Sequence, residues 1–129
     1  MGEIILSSKT NIVSDNIDAT SELNAKGILK YPGTPQVLTG AGAINLTTII
    51  THLVTAGIGD AVTLADGVEG QIKIILMKTL TAGGHTSVLT PAHFAQGATI
   101  TFDAVDCIIT MLFSNGTWHW TGGINITLA

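Results

Sequence analysis

The sequence has no arginine and only five lysines among its 129 residues, and its formal net charge is −4. A chain with this balance lacks the basic surface that neutralises a phosphate backbone, so no nucleic-acid partner is expected. Charged residues make up 11% of the chain, against about a quarter in an ordinary domain. None lies between Lys78 and Asp103 or after Asp106. We therefore expect much of the second half to be covered by other copies of the chain or by a larger assembly.

Cysteine and long apolar runs are also scarce. The single cysteine, Cys107, excludes an intrachain disulfide and lies in an apolar stretch, so a buried reduced thiol is expected. Gly, Pro and Asn interrupt the apolar runs before they reach the roughly 20 residues of a membrane span, so no membrane is expected as a partner. The N-terminus has neither the positive charge nor the apolar length of a signal peptide, which predicts synthesis and assembly in a cytoplasm.

The distribution of charge predicts two parts of different character. Half of the charged residues lie in the first thirty positions, in a segment rich in Ser, Asn, Asp and Thr with no sustained period. A cluster of Pro and Gly over residues 31–35 then marks a boundary. We predict an N-terminal arm and linker over residues 1–35 and an all-β domain over residues 36–129. The short run of Ile4, Ile5 and Leu6 could add as a strand to the sheet edge of a neighbouring subunit, or form an edge strand of its own body.

From residue 36 onward, short alternating segments separated by turn signals are typical of a sandwich or barrel. We predict an antiparallel β-sandwich or jelly-roll-like body with an extended N-terminal arm. Asp66-Gly67 and Asn115-Gly116 carry the residue pairs that favour tight hairpins. Residues 46–54 fit a helical stripe as well as a strand, and their content of Thr, Ile and Val favours the strand.

Two segments are apolar on both faces, residues 74–77 in the middle of a predicted strand at 71–80 and residues 107–113, which is typical of strands in the middle of a sheet. On the second of them Ile108, Thr110 and Leu112 share a face because side chains alternate with period two. These three residues, with the apolar run in the arm, are our candidate oligomer interface.

Motifs for catalysis or metal binding are weak. The four histidines have no zinc spacing, although a site assembled from several subunits stays open. No nucleophile elbow is present, and Asp103 and Asp106 fit a turn between two strands better than a pair of catalytic carboxylates. We predict no catalytic residues, no cofactor and no enzymatic activity.

Aromatic residues give one candidate binding site. Trp118 and Trp120 alternate with His119 on one predicted strand, so their indoles face the same way and could stack on a sugar, with Tyr31 as a third ring. The alternative is that the two tryptophans fill the core or a subunit interface.

Four turn and strand motifs resemble a β-rich module of bacteriophage structural proteins, as found in capsid decoration, head-fibre and tail-fibre proteins. They are TLADGVEGQIK at 63–73, TPAHF at 90–94, TITFD at 99–103 and FSNGTW at 113–118. The resemblance covers about residues 44–122 and implies a homotrimer of all-β subunits fixed to the virion surface. The sequence after Asp106 is more apolar than is usual in this module, which raises the expectation of a subunit contact there.

Taken with the composition, this resemblance favours a non-enzymatic capsid decoration protein that stabilises a phage head as a homotrimer. Its partners would be copies of itself and the major capsid protein or another virion protein. The alternative is a receptor- or carbohydrate-binding fibre tip that uses Trp118 and Trp120.

Overall fold

The computed structural model describes residues 27–28, 30–31 and 33–129. Contacts divide the chain into two units, Met1–Lys30 and Tyr31–Ala129, and the second unit holds all the strands given below. Ile4, Ile5 and Leu6 lie outside the described residues, as does most of the predicted arm over residues 1–35. The arm therefore stays a prediction.

The body is built from β-strands alone, and the described residues contain no helix. In chain order the strands are β1 (Gln36–Thr39), β2 (Gly42–Ile44), β3 (Ile50–Val54), β4 (Asp60–Leu64), β5 (Ile72–Thr79), β6 (Ser87–Pro91), β7 (Ile100–Phe102), β8 (Ile108–Ser114), β9 (Thr117–Ile124) and β10 (Ile126–Leu128). Residues 50–54, the segment that fitted either helix or strand, form β3, which confirms the choice of strand.

Two five-stranded sheets form a sandwich, so the predicted all-β sandwich is confirmed. Sheet A has the spatial order β1-β3-β5-β8-β9, and sheet B has the order β10-β7-β6-β4-β2. Every second residue of each inner strand points inward, and these residues make one hydrophobic core. Its buried apolar members are Ile44, Leu53, Val62, Leu64, Ile75, Met77, Leu89, Ile100, Phe102, Cys107, Ile109, Met111, Phe113 and Trp118.

Strand direction is mixed in both sheets, and the predicted antiparallel pairing is found only among β5 to β10. β1, β3 and β5 are parallel neighbours in sheet A, as are β2, β4 and β6 in sheet B. Each connection from β1 to β6 crosses from one sheet to the other. The chain therefore makes three successive coils, each consisting of one strand of sheet A and the next strand of sheet B. β7 to β10 then add as antiparallel neighbours.

The hairpin predicted at Asp66-Gly67 is wrong, because β4 belongs to sheet B and β5 to sheet A. Alternation identifies the two faces of a strand but does not identify its hydrogen-bonded partner. By contrast, Asn115-Gly116 joins β8 to β9 in sheet A, as predicted. Both residues have positive φ, 52° and 76°, which a tight hairpin of type I′ requires.

Close stacking of the coils depends on small residues in the turns that change sheet. A Cβ atom added at Gly40, in the turn between β1 and β2, would lie 3.0 Å from Cβ of Ala56, in the turn between β3 and β4. The carboxylate of Asp60 accepts hydrogen bonds from the N–H groups of Ala56 and Gly57, at 2.7 and 3.2 Å. This carboxylate therefore satisfies backbone donors that the turn leaves without a strand partner.

Replacing Asp60 with alanine is expected to lower the free energy of unfolding by about 1 kcal/mol, because two backbone donors lose their acceptor. Urea unfolding followed by circular dichroism measures the loss. The matched variant Asp60→Asn keeps an acceptor oxygen and should lose less than the alanine variant. Equal losses in the two variants would contradict the role of the side-chain oxygen.

Candidate functional site

The two outer faces of the sandwich differ in chemistry. On sheet B the outward side chains are small or hydroxylic, and no charged residue is among them: Ala43, Ala61, Thr63, Val88, Thr90, Thr101 and Thr127. On sheet A they are mainly aliphatic, with one lysine among them: Val37, Thr39, Ile50, His52, Val54, Ile72, Ile74, Leu76, Lys78, Ile108, Thr110, Leu112, Ser114, Thr117, His119 and Ile124. Since both sheets cover the same core, the difference between their outer faces is not required by folding.

One row of directly paired residues crosses all five strands of sheet A. It consists of Val37, His52, Leu76, Ile108 and Ile124, one from each strand in spatial order. Neighbouring strands lie about 4.8 Å apart, so the row is about 19 Å long. We call this set the central row, and its two end residues are the most exposed, at 55% for Val37 and 62% for Ile124.

The predicted interface residues lie on this face. Ile108 is in the central row, Thr110 pairs with Ile74, and Leu112 pairs with Ile72, and all three are half-buried. Sequence reasoning missed the contribution of β1 and β3. Alternation of apolar residues within β1 and β3 indicated which side chains share a face. It did not indicate the parallel pairing that places these two strands beside β5.

Charge on this face is sparse and lies toward its ends. The five strands of sheet A contain no acidic residue, and their charged outward side chain is Lys78, which is exposed on β5 beyond Leu76. Glu69 lies at the opposite end, where its carboxylate accepts hydrogen bonds from Ser114 Oγ at 2.5 Å and Asn115 N–H at 2.9 Å. These two bonds lower the pKa of Glu69, with a smaller contribution from His119.

Trp118 belongs to the core. Its side chain is fully buried, its indole N–H donates to the carbonyl oxygen of Ala65 at 2.9 Å, and its ring meets Phe113 edge to face at 5.2 Å. A Cβ atom added at Gly67 would lie 3.0 Å from the Trp118 ring, so the chain passes directly over the indole. A ligand therefore cannot stack on Trp118, and the alternative that it fills the core fits the structure.

The other two predicted aromatic residues lie apart from each other. Trp120, on the edge strand β9, is 39% exposed. Tyr31, 47% exposed, lies beside residues 48–50 at the start of β3, in a pocket of about 10 Å³, which is room for about one water molecule. Because β5 and β8 lie between β3 and β9, Tyr31 and Trp120 do not form a common platform. The predicted three-ring sugar site is not assembled.

The remaining candidate groups take part in local structure. His93 Nδ1 lies 2.9 Å from the Asp66 carboxylate. Asp103 and Asp106 are exposed in the turn before β8, where Asp106 has a φ of 68° and donates its N–H to the Met77 carbonyl oxygen. Within the part of the chain that the structure describes, no group of three His, Cys, Asp or Glu side chains could hold a metal ion.

A buried lysine was not foreseen. Lys73 projects inward from β5 into the core, where its ammonium group donates to the Thr48 carbonyl oxygen and to Thr51 Oγ1. Desolvation lowers its pKa from 10.5 to about 8. Among the described residues, no carboxylate forms a salt bridge with it. Lys73 thus ties β5 to the preceding coil through oxygen acceptors of the backbone and a hydroxyl group.

No protein-family model matches this sequence, and no curated protein matches it. Among the residues described, no helix is long and apolar enough to cross a membrane. The contrast between the two outer faces is the feature of this molecule that bears most directly on function.

Proposed function

We propose that this protein is a non-enzymatic structural protein that works as a homo-oligomer, with the outer face of sheet A buried between copies. The resemblance of its turn and strand motifs to phage β-modules supports a finer assignment. On that assignment it is a capsid decoration protein, a homotrimer on the virion surface that binds the major capsid protein and stabilises the shell.

The observation that carries the proposal is the aliphatic face of sheet A beside the threonine and alanine face of sheet B. Soluble proteins leave single apolar residues exposed, but a contiguous apolar patch is typical of an interaction surface. Here the patch extends over five strands and is centred on β5. The strands of this face carry no acidic side chain that would have to be desolvated.

A second copy is the occupant that fits this chemistry best. A basic partner would find no acidic residue on the five strands, and an acidic partner would find only Lys78 beyond the central row. An aliphatic surface is complementary to another aliphatic surface, and closed symmetric oligomers are the common result of such self-complementarity.

The area of this face limits the free energy of association that it can contribute. Strand spacing and rise per residue give it a footprint of about 20 by 20 Å. Buried apolar area contributes roughly 25 cal/mol per Å², and a standard interface hides about 800 Å² per partner. A stable oligomer therefore needs further contacts at sheet edges or from the arm. In a trimer, simultaneous binding of three linked copies to a capsid would multiply weak individual contacts.

Placing a carboxylate in the centre of the face is expected to weaken self-association. Leu76→Asp should lower the association constant by roughly 10- to 100-fold per subunit, since a charge must be desolvated at an apolar contact. Sedimentation velocity at several protein concentrations measures this change. The matched control, Thr90→Asp, puts the same group on the outer face of β6, the middle strand of sheet B, and should assemble like the unaltered protein.

Two results would overturn the proposal. One is a monomer at micromolar concentration for the unaltered chain. The other is equal weakening by Leu76→Asp and Thr90→Asp. If Leu76→Asp fails to fold, Val37→Asp gives the same test at the exposed end of the central row, where the cost to folding is small.

A further inference from the structure

His52 is the ionisable side chain of the central row. It lies on β3 between Val37 of β1 and Leu76 of β5, and both neighbours are aliphatic. On its own strand the adjacent outward residues are Ile50 and Val54. The ring is half-buried in the single chain, and a second copy covering this face would bury it further.

We infer that acidification releases copies of this protein from one another through protonation of His52 at the covered face of sheet A. This inference rests on the proposed function, because it concerns the regulation of the same interface. Histidine is the side chain that ordinarily changes charge between about pH 8 and pH 5. In the assembled state, a proton on His52 places an uncompensated charge at an apolar contact.

In the part of the chain that the structure describes, the strands around His52 carry no acidic side chain. β1 carries no titratable residue, β5 carries outward Lys78 two positions beyond Leu76, and β8 carries none on this face. β9 contributes His119, which pairs with Leu112 and so lies two rows of paired residues away from the central row. Its ring is hydrogen-bonded to Thr117 Oγ1. The charge on the described strand next to His52 is therefore positive, and it opposes a second positive charge.

Two acidic residues lie at the ends of this face, and neither is on a strand beside His52. Asp106 precedes β8, which β5 separates from β3, and its N–H donates to the Met77 carbonyl oxygen. Glu69 contacts Ser114, which lies six residues along β8 from Ile108 in the central row. At about 3.3 Å per residue this separation is roughly 20 Å, well beyond the Debye length of about 8 Å at physiological salt. Glu69 is also already occupied by two hydrogen bonds from the β8–β9 hairpin.

The expected effect is a fall of about tenfold or more in the association constant per subunit between pH 7.5 and pH 5, because each subunit must lose a proton to assemble. Sedimentation velocity at both pH values measures the change. Far-ultraviolet circular dichroism on the same samples separates dissociation from acid unfolding.

Three variants locate the effect. His52→Gln should assemble at both pH values with no change in association constant, and His52→Leu should behave likewise if glutamine perturbs folding. His93→Gln, which alters an exposed histidine that contacts Asp66 and lies outside the five strands of sheet A, should keep the response of the unaltered protein.

An oligomer whose association constant is the same at both pH values would overturn this inference and leave the proposed function standing. A pH response that persists in both His52 variants would overturn it as well. A chain that is monomeric at both pH values would contradict the proposed function itself. Failure of the pH inference and failure of the proposed function therefore give different results.

Discussion

Replacing Trp118 with alanine is expected to lower the free energy of unfolding by about 3–5 kcal/mol, the largest loss we predict for a single substitution. The indole is fully buried under Gly67 and against Phe113, so its removal leaves a cavity that the packed loop cannot fill. It also leaves the Ala65 carbonyl oxygen without its donor. Chemical denaturation monitored by circular dichroism measures the loss.

Trp120→Ala is the matched control, since it removes the same side chain two positions along β9 at a site that is 39% exposed. Its cost should be well below that of Trp118→Ala. The single-tryptophan variants also separate the two environments by fluorescence, because acrylamide should quench Trp120 and leave Trp118 nearly unaffected. Equal losses of stability, or equal quenching, would contradict the assignment of Trp118 to the core.

Lys73 gives the second large prediction, a rise in stability with pH. Its pKa is lowered from 10.5 to about 8 in the folded protein. Between these values the unfolded chain binds more protons than the folded one, so the free energy of unfolding increases with pH in this window. The gain is on the order of 3 kcal/mol at most, since one pKa unit corresponds to about 1.4 kcal/mol.

Urea unfolding of the unaltered protein and of Lys73→Met, at pH 7.5 and at pH 10.5, isolates this contribution. Methionine has similar length and no charge, so the pH-dependent gain should be absent in the variant. The other lysines, Tyr31 and Cys107 are common to both proteins and cancel in the difference. A difference in stability between the two proteins that does not change with pH would contradict the desolvation of a charged Lys73.

Which side chains are inward and which are outward could be predicted from the sequence, because strand alternation depends on local geometry alone. This is why Ile108, Thr110 and Leu112 were placed together correctly. Partner strands could not be predicted, since His52 and Leu76 meet only through parallel pairing of β3 with β5. The aliphatic row across sheet A therefore became visible only with the topology.

Two other features of the structure were not predicted from the sequence, each for a different physical reason. Alternation put Trp118 and Trp120 on one face, and their partners Phe113 and Met111 are both inward, but at the edge of the sheet only Trp118 is enclosed. Alternation along β5 places Lys73 on the same face as Ile75 and Met77, as the structure has it, yet its acceptors on Thr48 and Thr51 belong to the preceding coil. Contacts between coils join residues that are far apart in the sequence, so no local sequence pattern predicts them.

The coiled path of β1 to β6 also bears on how the chain can fold. Gln36 pairs with Thr51 and Asp60 with Ser87, so partners in adjacent coils lie 15 to 27 residues apart. Each coil can form on the one before it by closing a loop of modest length, at an entropic cost that grows slowly with loop size. The sandwich can thus be completed in the order of synthesis, and β8 to β10 close it last.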